Sequence, residues 1–198
     1  MKKEHPILFS TPMVQAILEG RKTQTRRILK PKPIANEIVE SNQWKRYTHV
    51  SRKEIIANPG FYEIKSVHKC PYGETGDLLW VRETFTEWPK GEFQFRASTR
   101  SGDELGKWKP SIHMPKVAAR IWLEITEVKV ERLQDISYAD AKAEGVELPH
   151  NFYELWVKIN GYESWMTNPW VWVVKFKVLT TTGKPSFDFA QDDKTAKN

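Results

Sequence analysis

Ile121-Trp122-Leu123-Glu124-Ile125-Thr126-Glu127-Val128-Lys129-Val130-Glu131-Arg132 is the clearest β-strand in this chain. Ile121, Leu123 and Ile125 alternate with Trp122, Glu124 and Thr126, and Val128 and Val130 carry the strand pattern onward. Period-two alternation of this kind buries one face of a strand and leaves the other to polar contacts. A second such stretch sets Trp170, Trp172, Val174, Phe176 and Val178 against Val171, Val173, Lys175 and Lys177. Shorter strands are expected at Ile7–Phe9, at Phe93–Arg96, and at Leu78–Arg82 after the turn cluster Glu74-Thr75-Gly76-Asp77.

Between the strands the helical signals are short. Thr11 is read as the cap of a helix with Pro12 first, a position where the missing N–H of proline is harmless. Met13, Val14, Ile17 and Leu18 form its apolar stripe, and Gly20 stops it. Ser137 and Asp140 form a capping box that opens a helix ending at Glu144. Asn151 is read as the cap of another, carrying Phe152, Leu155, Trp156 and Ile159 and ending at Asn160-Gly161. Five or six short strands with a few short helices imply an α+β fold: a small, mostly β barrel with flanking helices, not a parallel α/β sheet.

One domain is expected over residues 1–179 of the 198. Pro31, Pro33, Pro59 and Pro71 break the periodicity, so about 31–72 reads as an irregular insertion with one hairpin near Phe61–Ser66. Residues 180–198 turn polar and read as a disordered tail. The net charge of +6 and pI near 9.3 favour a polyanionic partner, chiefly nucleic acid. Nine tryptophans are mostly core material, but a flat ring beside a basic groove also stacks bases. Cys70 is the single cysteine, so no intrachain disulfide and no cysteine-built zinc site is possible. His68, Cys70 and His113 match no standard metal spacing, so neither metal nor other cofactor is expected. The N-terminus lacks the apolar core of a secretory signal, and no run of about 18 apolar residues appears. A cytoplasmic protein without a membrane span is the expectation.

The functional signal is the octad Gly20-Arg21-Lys22-Thr23-Gln24-Thr25-Arg26-Arg27. It carries four cations, and no acid lies between Glu19 and Glu37 to neutralise them. Arg21, Arg26 and Arg27 present donors for phosphate oxygens, and Arg82, on a later strand, is a further anion-binding candidate. The same run also fits a solvated basic face, and Thr25 fits a turn hydroxyl that satisfies the backbone.

The pattern Gly20-x-Lys22-x-x-Thr25-x-Arg27, following a strand and a helix, resembles the signature of the ASCH domain (activating signal cointegrator homology), a PUA-like β-barrel. Gly76-Asp77-Leu78-Leu79-Trp80-Val81-Arg82-Glu83 is similar to its second landmark, and the strands ending at Arg132 and Leu179 complete the order. Trp108-Lys109-Pro110-Ser111-Ile112-His113-Met114-Pro115 resembles a phage and prophage-type subgroup. The likeness covers about residues 5–179, apart from the insertion. Many family members carry glutamate where this chain has Thr25. Threonine there resembles a bacterial branch that hydrolyses N4-acetylcytidine. That resemblance implies Lys22 as proton acceptor, Thr25 as nucleophile and Glu144 as proton donor, with Glu147 a nearby competitor for the last role.

These roles are chemically coherent. A threonine hydroxyl needs a base to become a nucleophile. Lysine serves only if burial or neighbouring cations bring it down from about 10.4 toward neutrality. A carboxylic acid would then protonate the departing exocyclic amine. The sequence therefore leads to a protein that binds nucleic acid, RNA above all, or a modified nucleoside. Deacetylation of N4-acetylcytidine to cytidine and acetate is the enzymatic alternative, and a phage or prophage protein-interaction module is a third reading.

Overall fold

The two alternating stretches become the longest strands of one sheet. The computed structural model describes residues 2–30, 38–41, 46–49, 66–99 and 106–185. Its strands are β1 (Glu4–Leu8), β2 (Gln24–Ile28), β3 (Ile38–Ser41), β4 (Arg46–His49), β5 (Ser66–His68), β6 (Leu78–Arg82), β7 (Phe85–Glu87), β8 (Phe93–Phe95), β9 (Trp122–Arg132) and β10 (Trp170–Thr180). The helices are α1 (Thr11–Leu18), α2 (Tyr138–Ala143), α3 (Pro149–Asn160) and α4 (Tyr162–Met166). Among the described residues no helix is long and apolar enough to cross a membrane.

The architecture is α+β, as expected. Five strands pair in the order β1-β6-β9-β10-β2, with β1 parallel to β6 and the other neighbours antiparallel. Two small sheets, β3-β4-β5 and β7-β8, stand apart from it. The main sheet is not closed as a barrel: β1 and β2 are its edges. Helix α1 connects those edges and covers one face, placing Val14 and Ile17 against Ile7, Leu79, Leu123, Trp172 and Val174. On the opposite face Val171 and Val173 pack with Leu133, Ala141, Phe152 and Trp156 beneath α2 and α3. Burial of β10 on both faces explains its near-continuous apolar run.

A bulge accounts for the change of phase in β9. Lys175 pairs with Glu127 but Phe176 pairs with Ile125, so Thr126 is the extra residue. The side chains of Val128 and Val130 thereby return to the core face that Ile125 occupies.

Local chemistry shifts several expected boundaries. Ser10, not Thr11, is the N-cap of α1: it is extended, and its carbonyl accepts from the Val14 amide at 2.9 Å. Helix α3 begins at Pro149, whose fixed φ suits a first turn, and Asn151 sits inside the helix with Oδ1 accepting from the Leu148 amide at 3.1 Å. Two elements without a clear periodic signal also form, β7 and the five-residue α4. The expected hairpin near Phe61–Ser66 lies outside the described residues, apart from Ser66 at the start of β5. Beyond β10, the Gly183 amide donates to the Arg120 carbonyl at 2.9 Å and Lys184 pairs with Glu4 at 3.0 Å. Residues 186–198 of the expected tail lie outside the described residues.

The capping box of α2 forms as read. Ser137 Oγ accepts from the Asp140 amide at 3.1 Å, and Asp140 Oδ2 accepts from the Ser137 amide at 3.4 Å. Because α2 ends on Glu144, this cap helps set where that carboxylate stands. Ser137→Ala is expected to cost about 1 kcal/mol, measured as a lower urea midpoint at unchanged slope. An unmoved midpoint would show that the box contributes nothing.

Candidate functional site

The octad leaves α1 through a tight turn and then joins the sheet. Gly20 adopts φ +72°, and the Lys22 amide donates back to the Ala16 carbonyl at 3.0 Å. Lys22 then forms an isolated antiparallel bridge with Glu144, flanked by the Thr23 amide donating to Ala143 at 2.8 Å. The Thr23 carbonyl accepts from the Phe176 amide at 2.9 Å. From Gln24 the chain continues as β2, where Thr25, Arg26 and Arg27 oppose Val174, Val173 and Trp172 of β10. The basic run thus becomes an edge strand built into the core, not the solvated face of the alternative reading.

Its side chains are sorted by their partners. Lys22 is 0% exposed, and its Nζ donates to Glu144 Oε2 and to the Glu144 carbonyl, each at 2.8 Å. Arg26 is also buried and donates to Glu144 Oε1 at 3.2 Å and, through Nε, to Glu131 Oε1 at 3.0 Å. Asp140 Oδ2 stands 3.5 Å from the same guanidinium, which lies 5.9 Å from the Phe152 ring centroid. Arg27 donates from Nη2 to the Leu8 carbonyl at 2.6 Å and lies 5.3 Å from the Phe9 ring centroid. Arg21 points away: it pairs with Glu19 and donates to the Gly145 carbonyl at 2.7 Å.

Burial pushes the Lys22 amine below the ordinary lysine range. Glu144 opposes that shift, while the nearby charges of Arg27 and Arg26 reinforce it. Arg21, expected as a donor for phosphate oxygens, is turned toward Glu19 instead. Among the described residues no hydrogen bond joins Lys22 to Thr25, because the lysine is committed to Glu144.

A cavity of about 280 Å³ opens beside this cluster. Thr25, Arg26, Arg27, Lys30, Glu144 and Asn160 supply its polar lining, while Tyr72, Phe152, Leu155, Trp156 and Ile159 are among its apolar walls. Lys22 sits behind Glu144 and does not line the cavity. Burial raises the Tyr72 phenol, so it stands here as a neutral donor. Arg82 lies elsewhere: its Nε donates to the Met114 carbonyl at 3.1 Å, its Nη2 to the Ile112 carbonyl, and its guanidinium covers Trp80. It braces that loop. Among the described residues no group of three or more His, Cys, Asp or Glu side chains is placed to hold a metal ion.

Sequence reasoning missed Glu131 and Asp140, the carboxylates that neutralise Arg26, and the aromatic wall of the cavity. Asp140 was visible only as a helix cap. Leu155, Trp156 and Ile159 were legible as an apolar stripe, but only the packing of α3 over β2 shows that part of it faces a cavity.

No protein-family model matches the chain, and no curated protein matches it. Among solved structures it is similar to an ASCH domain from Lactobacillus crispatus JV V101, at 14% identity and a TM-score of 0.42, covering 90% of this chain and 80% of that one. It is also similar to protein EF3133 from Enterococcus faecalis V583, of the family DUF984, at 12% identity and a TM-score of 0.44, covering 94% and 87%.

The turn after Glu144 is the tightest point of the site. Gly145 adopts φ +89°, and a Cβ there would meet Ala16 Cβ at 2.9 Å and Lys22 Cβ at 3.0 Å. Gly20 also has a positive φ but has nothing within 4 Å. Gly20→Ala should therefore cost only the left-handed strain of about 1–2 kcal/mol, and Gly145→Ala distinctly more. Equal shifts in urea midpoint for the two variants would contradict the close packing of Gly145 on Lys22.

Proposed function

We propose that this protein is an ASCH-type, PUA-like domain that binds a nucleoside, free or as a unit of RNA, in the cavity between β2 and α3. The observation that carries the reading is the lining: Thr25, Arg26, Arg27 and Glu144 on one side, aromatic Tyr72, Phe152 and Trp156 on the other. Its volume of about 280 Å³ lies at the small end of ligand sites, which suits one base or nucleoside and not a packed strand. Flat rings hold the faces of a base, and buried charged groups read its polar edge. The resemblance of the octad to the ASCH signature supports the same reading.

Calorimetric titration with the common ribonucleosides and with N4-acetylcytidine tests it. Saturable binding of at least one is expected, weakened about tenfold or more by Glu144→Gln, because a hydrogen bond to a charged group is lost. No saturation by any of them up to millimolar concentrations would remove the proposal.

A second reading, hydrolysis of N4-acetylcytidine, is favoured by the burial of Lys22 against Glu144 beside Thr25. Lys22 Nζ donates to Glu144 Oε2 at 2.8 Å, and in this reading one proton moves along that contact. Moved from the ammonium to the carboxylate, it leaves a neutral amine as base and a carboxylic acid as donor. The amine takes the Thr25 hydroxyl proton as Oγ1 attacks the acetyl carbon, and the acid protonates N4 as its bond to that carbon breaks. Water then hydrolyses the acetyl ester, releasing acetate. Lys22 must turn toward Thr25 for this step.

Acetate release from N4-acetylcytidine is the assay, with Thr25→Val abolishing it. The rate needs the pair's proton, so it should fall as pH rises through the lowered pKa of Lys22. That alkaline limb should lie below the ordinary lysine value of about 10.4. No turnover at high enzyme concentration would reject hydrolysis while leaving nucleoside binding intact.

A further inference from the structure

We propose that the ligand carries a phosphate, seated in a second cleft at the start of α1, with Arg27 between phosphate and nucleoside. This inference rests on nucleoside binding in the first cavity. The second cleft, of about 510 Å³, shares Arg27 with it. The other polar side chains of its lining are the hydroxyls of Ser10, Thr11, Thr84 and Ser111, and no carboxylate lines it.

The charge distribution singles out Arg27. Lys22 is offset by Glu144, and Arg26 by Glu131, Asp140 and Glu144. Among the described residues Arg27 has no carboxylate partner. Its Nε is buried without a hydrogen-bond partner, and the guanidinium is held by one carbonyl and the Phe9 ring. Burial moves its pKa down from the ordinary arginine value, while Tyr72 and Glu144 are the nearby groups acting the other way. The guanidinium as a whole is half-buried, but a donor shut away from water at Nε is costly unless an acceptor joins it. Glu144 is paired with Lys22 and Arg26 and makes no hydrogen bond or ion pair with Arg27.

The adjoining lining fits the missing group. Ser10 caps α1 without using its hydroxyl, and Pro12 leaves only the Thr11 and Met13 amides free at the first turn. That end of the helix carries partial positive charge. Hydroxyl donors, amides and one uncompensated guanidinium, with no acid among them, form a site for a tetrahedral oxyanion. Because Met13, Arg27 and Ile159 line both spaces, the two adjoin, and the base of one nucleotide is assigned to the first and its phosphate to the second. The 5′-phosphate of a mononucleotide and the phosphodiester of an RNA strand offer the same chemistry there.

Calorimetric titration of the full chain tests the proposal, using each of the four ribonucleosides against its own 5′-monophosphate. At low salt the monophosphate of the best-bound nucleoside should bind at least tenfold tighter, with the margin shrinking as salt rises. Arg27→Met should bring the ratio toward one, and Ser111→Ala should narrow it. A trinucleotide lacking terminal phosphates that matches the monophosphate assigns the site to RNA; a mononucleotide advantage alone assigns it to free nucleotides. Equal affinity of nucleoside and monophosphate overturns the phosphate site and leaves the nucleoside reading standing. Binding of neither overturns both.

Discussion

The buried pair between Lys22 and Glu144 is the constraint on which the site depends. Both side chains are withdrawn from water and meet at 2.8 Å. Desolvating two charges costs several kcal/mol each, which only close and fully hydrogen-bonded partners offset. The pair meets that requirement because the Lys22 ammonium also donates to the Glu144 carbonyl, and the Glu144 carboxylate also accepts from Arg26. It joins the end of α1, the entry to β2 and the C-terminus of α2 at one point. A Cβ on the glycine after Glu144 would come within 3.0 Å of the Lys22 Cβ, so only glycine fits that turn. A carboxylate at a helix C-terminus opposes the helix dipole, and two cations beside it supply the compensation.

From that point the charges can be followed outward. Arg26 is surrounded by acids from β9 and α2, so it serves as a structural tie between the sheet and the helix. Arg27, one residue on, projects to the other side of the strand, toward Phe9 and the Leu8 carbonyl. Alternation along β2 thus gives two adjacent arginines opposite fates: one is neutralised, and the other has no carboxylate partner among the described residues. The aromatic wall from α3 then makes the neighbouring space apolar on one side, which strengthens any polar contact made across it.

Much of the fold was legible in the residues. Alternation marked β9 and β10, the Gly76-Asp77 turn marked β6, and Ser137 with Asp140 marked α2, because each signal is local and its chemistry is complete within a few residues. The errors were also local in cause. Thr11 and Asn151 are good capping residues, but Ser10 and Leu148 hold the extended backbone that a cap requires. The open sheet was not legible, since alternation specifies that a strand has a buried face and not which element buries it. Here α1 takes that place.

Residue type and spacing alone establish the basic octad, the helix stop before it, and the pattern around Lys22 and Thr25 that resembles a known signature. They also establish that Glu144 ends a capped helix. That Lys22 meets Glu144, 122 residues away in the chain, follows from the packing of α2 against the end of α1. The same packing neutralises Arg26, leaves Arg27 without a carboxylate among the described residues, and occupies Arg21 and Arg82 elsewhere. The physical reason is that charge state and availability depend on burial and on partners brought from distant segments. Neither is encoded by spacing within eight residues.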